Sequence, residues 1–223
     1  MGTVIGDTLP LALGVAISPI PIIAAILMLL SPKARVTSVG FLLGWVLGIV
    51  VAVTVFTLVS SLLPEEDPDA SHPIRGVVQL VLGALLFLLA FGQWRKRPRQ
   101  GEEAALPKWM KAIDTITFPF AFGLGFLLSA VNPKNLIMAA GAGTDIGGAA
   151  LSTGSIVVVI TVYTLIAAST VLVPVIGYLV AADRLRAPLD ALRGWLAAEN
   201  AVIMAVLLLV IGVSMIGKGI GSF

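Results

Sequence analysis

LSAVNPKNLIMAAGAG, residues 128–143, places Asn132, Pro133, Lys134 and Asn135 in succession inside an otherwise apolar stretch. Proline has no N–H and clashes with the preceding turn, so in mid-helix it kinks or interrupts the helix. In hydrocarbon the backbone groups freed this way must find partners, which confines such a break to a protein interior or a wet cavity. An ammonium near the bilayer centre costs at least about 2.5–3.5 kcal/mol on insertion scales, and such residues as a rule mark function. Lys134 therefore either snorkels towards an interface or lies in a polar cavity that receives an anionic group or a proton. Its depth in the segment favours the cavity.

The surrounding chain makes a bilayer the right frame. Of 223 residues, 58% are hydrophobic and only 12% charged, with a mean hydropathy of +1.06. Soluble domains are about a quarter charged. Six apolar runs approach or exceed the roughly 20 residues that cross a bilayer: 8–30, 36–63, 73–94, 118–142, 153–181 and 196–219. The expected fold is all-α and polytopic, with six transmembrane helices. The net charge of +2 lies in short loops and carries no nucleic-acid footprint. The absence of cysteine excludes disulfides and thiolate metal sites. No Lys or Arg precedes the first run, so no cleavable signal peptide is expected.

Charge alternates between the loops. The first carries Lys33 and Arg35, and the third (RKRPRQGEEAALPKWMK) carries Arg95, Lys96, Arg97, Arg99, Lys108 and Lys111. The fifth carries Arg184, Arg186 and Arg193. The second holds Glu65, Glu66, Asp67 and Asp69, and the fourth only Asp145. By the positive-inside rule the odd loops face the cytoplasm. This predicts a multi-pass protein of the cell membrane with both termini outside. The third loop also has the composition to touch anionic headgroups.

An internal repeat organises the spans. LPLALG at 9–14 and FPFAFG at 118–123 share one pattern, and each is followed by a proline cluster, SPIP at 18–21 and NPKN at 132–135. Three crossings per copy would set the second copy upside-down, the inverted-repeat plan of many secondary transporters. The whole chain, 1–223, then reads as one transmembrane domain. Residues 1–97 form the first three-helix repeat, 98–117 a cytoplasmic loop and 118–223 the inverted repeat, with helices 1 and 4 broken. Each break creates a half-helix N-terminus suited to an anion. A kink that only shapes packing is the alternative for either cluster taken alone.

The candidate substrate-binding residues are accordingly Ser18, Pro19 and Pro21 in one half and Asn132, Pro133, Lys134 and Asn135 in the other. Ser18, Asn132 and Asn135 are placed to satisfy freed backbone groups. Asp145, in GAGTDIGG, either pairs with Lys134, gates the site, or is a solvated loop residue. Tyr163 either lines the cavity or packs between helices. Gly40, Gly44 and Gly48 form G-x-x-x-G steps, a close-packing face. Glu199 and Asn200 begin the sixth span, and His72 stands alone in an outer loop. No metal or cofactor is expected. No Ser/His/Asp, paired-carboxylate or metal constellation is present, so no enzymatic activity is expected.

LALGVAISPIPIIAAILML and FGLGFLLSAVNPKNLIMAAGAG resemble the lysine-exporter (LysE) superfamily: six spans, a proline break in span 1 and an NPK break in span 4. Within it the chain most resembles the Sap/GAP group, named for addressing sulfolipid and glycopeptidolipid to the actinobacterial surface. The resemblance implies export of a cell-envelope lipid or glycolipid, or assistance to a larger lipid-export complex. Export of a small solute, an amino acid or ion, is the alternative; a non-transporting scaffold subunit is another. The superfamily's amino-acid exporters carry PGP in span 1, and SPIP lacks that glycine. Expected partners are membrane lipids, an anionic lipid or glycolipid substrate, and a larger export complex or a second copy of the chain.

Overall fold

A computed structural model describes residues 1–62, 73–95, 97 and 115–223. Among them the chain is all helix: α1 (Gly2–Ala16), α2 (Pro19–Leu30), α3 (Ala34–Ser61), α4 (Pro73–Arg95), α5 (Phe118–Ala130), α6 (Pro133–Gly147) and α7 (Thr153–Ile220). The acidic second loop with His72, and Lys96, Arg99, Lys108 and Lys111 of the third, lie outside the described residues. So does the boundary at residue 98.

Three helices, α3, α4 and α7, are long and apolar enough to cross a membrane, and counting each bent pair as one span gives five. Their outward faces are oily. Leu43, Leu47, Val55 and Leu58 of α3 and Leu165, Val173, Ile176 and Val180 of α7 are all exposed. A surface of that kind suits lipid, not water.

Both proline clusters break their helices. α1 and α2 meet at 54°, α5 and α6 at 60°. Pro19 and Pro21 offer no N–H to the carbonyls of Val15 and Ile17, four residues earlier. The Ser18 N–H turns instead to the Ala16 carbonyl at 2.9 Å, which leaves the Gly14 carbonyl without its helical donor. In the second pair Pro133 cannot serve Ser129. Asn132 caps α6, its side chain accepting from the Lys134 N–H at 3.0 Å.

The expected fifth loop is not a loop. Residues 182–195 are helical, and the interruption is confined to Ala181, at φ −142° and ψ 54°. Ala, Leu and Arg predominate here and an Arg193–Asp190 pair at 2.9 Å adds support, so the stretch is helical despite its charges and the Pro188 inside it. Thr170 donates to the Ala16 carbonyl at 2.6 Å, while Ile211 lies against Gly14. These two α7 residues are about 40 apart, roughly 60 Å of straight helix. Both touch the end of α1, so α7 reverses direction between them, in the interval that contains the non-helical Ala181 and Pro188.

α3 packs on α5 through glycine, as the G-x-x-x-G face requires. A Cβ on Gly44 would collide with the Phe122 carbonyl, and one on Gly125 with that of Phe41. Backbone cannot move aside as a side chain can. Gly44→Ala is therefore expected to cost about 1–3 kcal/mol, the range of overpacking. Gly123→Ala on α5, where an added Cβ meets nothing within 4 Å, is expected to be neutral or slightly stabilising. Thermal unfolding of the two variants in detergent checks this; equal midpoints would rule out the close helix approach.

Candidate functional site

The two breaks face each other, and Lys134 joins them. Its side chain is buried, only 4% exposed. Its Nζ donates to the Gly14 carbonyl and to Ser18 Oγ. Gly14 is the residue whose carbonyl the first break deprives of a donor. The next residue does the matching task for the second break. Asn135 Nδ2 donates at 3.0 Å to Leu128, four residues before the helix-capping Asn132. Lys134 and Asn135 thus each satisfy one orphaned carbonyl, one in each half of the chain.

This satisfies backbone but not charge. Among the described residues no carboxylate pairs with Lys134. Beside it lies a cavity of about 220 Å³, walled on one side by Ser18, Pro19, Pro21, Asn132 and Pro133. The N-termini of α2 and α6 both abut it, so two helix dipoles add positive potential to the ammonium. Gln93 of α4 and Asn200 and Met204 of α7 form the far wall. Asn200 Oδ1 is buried and has no hydrogen-bond partner. The site can hold an anion at one wall and polar hydroxyl or amide groups at the other.

Six of the nine candidate residues line this cavity: Ser18, Pro19, Pro21, Asn132, Pro133 and Lys134. Asn135 adjoins it but turns to Leu128. Tyr163 is 2% exposed, its hydroxyl without a partner, and it does not line the cavity. It packs between helices. Gln93 was not legible as a site residue; its only signal is a lone amide near the end of an apolar span. Asn200 stood out only as an interfacial polar residue.

Asp145 requires a correction. It is neither a solvated loop residue nor a partner of Lys134. It lies inside α6, 2% exposed, about 16 Å along the helix from Lys134 at 1.5 Å per residue. Its carboxylate accepts from Arg75 at 2.9 Å, Gln79 at 3.1 Å and Lys218 at 3.0 Å. Lys218 also reaches the Asp7 carbonyl at 2.9 Å and its carboxylate at 3.4 Å. The cluster ties α1, α4, α6 and α7 together, and three of these, α4, α6 and α7, also line the Lys134 cavity.

With this geometry in place, the comparison with known families is decisive. The family model for Sap, sulfolipid-1-addressing protein, matches residues 8–221. The chain belongs to this family. Comparison with curated proteins and with solved structures gave no match. The matched span includes both breaks, the residues that line the Lys134 cavity, and Asp145 with Arg75, Gln79 and Lys218.

Proposed function

We propose that this chain exports, or assists the export of, an anionic cell-envelope lipid or glycolipid, whose headgroup is held at Lys134. The observation that carries the reading is a buried ammonium with only neutral partners, set between two opposed helix breaks. A desolvated cation without a counter-charge is costly, and an anionic ligand offsets that cost. The family's own description names a sulfolipid, which bears such an anion. A cavity of about 220 Å³ suits a headgroup and leaves acyl chains in the membrane. Among the described residues that line it there is no carboxylate to hold an amino-acid ammonium, which disfavours export of an amino acid.

In this reading the chain crosses the membrane six times, each bent pair once and α7 twice, as two inverted three-helix units within the LysE superfamily. Both termini lie outside the cell membrane. The protein acts as a transporter or accessory subunit, not as an enzyme, and needs no cofactor or metal. Its partners are membrane lipids, the anionic substrate, and either a larger lipid-export complex or a second copy of the chain. The supports are the repeated hPhAhG opening (h, apolar), the two breaks and the loop charges. In intact cells Ser71→Cys is expected to react with an impermeant maleimide, and Gln100→Cys is expected not to; the reverse pattern inverts the orientation.

Reconstitution tests the function. The purified chain in liposomes is expected to move a fluorescent phosphatidylglycerol between leaflets at least about tenfold faster than the phosphatidylcholine analogue. That ratio corresponds to about 1.4 kcal/mol, close to the lower end of the net worth of one charge-assisted hydrogen bond. Equal rates for the two lipids would refute an anion-selective site. Movement of neither lipid by the chain alone would favour the accessory role.

A further inference from the structure

The wall between the Lys134 cavity and the membrane is the seam of α4 with the second limb of α7, and that seam is uneven. Near one end its backbones almost touch. A Cβ on Gly83 would lie 3.1 Å from the Gly212 carbonyl, and one on Gly219 would lie 3.0 Å from that of Gly76. Towards Arg95 the same two helices enclose a second cavity of about 410 Å³ on their outer side. Phe87, Phe91 and Trp94 of α4 and Ala205, Val206 and Leu209 of α7 line it. The opposite faces of these turns, Leu89 and Gln93 with Met204 and Leu208, line the Lys134 cavity. Only one layer of side chains separates the two spaces.

The outer cavity is apolar along its length and cationic at one end. The Arg95 guanidinium sits 5.7 Å from the Phe91 ring centroid, and that of Arg97 sits 4.1 Å from the Trp94 ring. Two cations are thus held over two of the aromatic rings that line the groove. Among the described residues neither pairs with a carboxylate, so their N–H edges remain open to a phosphate or sulfate.

We propose that this groove is a binding site for an anionic lipid, with an acyl chain against Phe87, Phe91 and Leu209 and the headgroup at Arg95 and Arg97. It is the station from which the lipid passes sideways through the α4–α7 seam to Lys134. That second step rests on the function proposed above; binding in the groove does not. Charge complementarity distinguishes the site from ordinary lipid contact, which every outward face of the bundle makes without regard to headgroup.

Trp94 supplies the readout. The protein is placed in phosphatidylcholine bilayers doped with brominated-chain phosphatidylglycerol or brominated-chain phosphatidylcholine. Quenching due to Trp94 is the difference between the wild type and Trp94→Phe. Half-maximal quenching is expected at about a tenfold lower mole fraction of the anionic lipid, a ratio that corresponds to about 1.4 kcal/mol. The surface variant Arg95→Gln/Arg97→Gln is expected to equalise the two lipids, and Ala205→Phe, which fills the groove, to reduce the preference. Equal quenching of the wild type by both lipids overturns the proposal, because it indicates ordinary lipid contact. So does a preference that survives the double arginine variant. Lys134→Met is expected to keep the preference. A preference lost in that variant would place the anion at Lys134 and overturn the groove site. A preference kept in Lys134→Met together with wild-type lipid movement would support the groove and refute the function assigned to Lys134.

Discussion

Lys134→Met is expected to remove most of the preference for anionic lipid in transport between leaflets while leaving the protein folded. Met preserves the length and apolar stem of the side chain and removes only the ammonium. Two effects on stability oppose each other. The Gly14 carbonyl loses the donor that replaces its helical partner, which costs about 1–3 kcal/mol for a buried unsatisfied group. Against this, a cation with no carboxylate beside it no longer has to be desolvated, and that relief is of similar or larger size. The thermal midpoint in detergent is therefore expected to shift little. Transport responds differently, because among the described residues that line the cavity Lys134 carries the one full positive charge, and the helix dipoles beside it are weaker. Loss of that attraction should sharply reduce the difference between the anionic and zwitterionic lipid rates in liposomes. Lys134→Arg keeps the charge but spreads it over a larger planar group in a cavity of about 220 Å³, so partial activity is expected. A Met variant that moves anionic lipid at the wild-type rate would disprove the site. A Met variant that fails to fold would make Lys134 a structural bolt between the two breaks. Asp145→Asn would not rescue it, since Asp145 lies in another cluster.

The breaks and the depth of Lys134 were legible in the sequence because proline and charge are so costly in an apolar span that their presence is itself a signal. Pro19 and Pro133 each stand three residues beyond the end of α1 and α5, as the first residues of α2 and α6. What Lys134 touches was not legible. Its acceptor is a backbone carbonyl, and every residue has one; only the arrangement of the first break makes that of Gly14 available. Asp145 was misread for a related reason. GAGTDIGG has the composition of a turn, yet its glycines serve helix approach. A Cβ on Gly143 would lie 2.8 Å from the Thr57 N, and one on Gly147 2.7 Å from the Thr57 carbonyl. Small residues that let α6 approach α3 look, in one dimension, like small residues that end a helix. The partners Arg75 and Lys218 lie 70 and 73 positions away. Pairing at that distance follows from which helices are neighbours, and loop charges report only which side of the membrane a helix end faces. The helical stretch 182–195 shows the same limit, since its arginines give the same charge signal whether the stretch is a loop or a helix.

Asp145→Asn is expected to destabilise the protein more than any other single charge removal among the described residues. The carboxylate is 2% exposed and accepts from two cations and an amide. Removing one member of a buried ion pair costs about 3–5 kcal/mol, because the partners' charges are left uncompensated. Here the side chains of Arg75 and Lys218 are 25% and 27% exposed. Partial solvation of the leftover cations places the cost near the lower end, about 3 kcal/mol. For a chain of this length that corresponds to a fall of roughly 6–12 °C in the thermal midpoint. Asp7→Asn makes the control. Asp7 is 40% exposed and its carboxylate is 3.4 Å from Lys218, a geometry worth about 0–1 kcal/mol. Its backbone carbonyl, which also accepts from Lys218, is untouched by the substitution. Combining Asp145→Asn with Lys218→Met removes one of the two stranded cations and should recover part of the loss, and this coupling separates an ion-pair effect from a packing effect. If Asp145→Asn and Asp7→Asn melt together near the wild type, the cluster does not fasten α1, α4, α6 and α7. Apolar packing, with the Lys134–Gly14 and Thr170–Ala16 hydrogen bonds, would then hold these helices together.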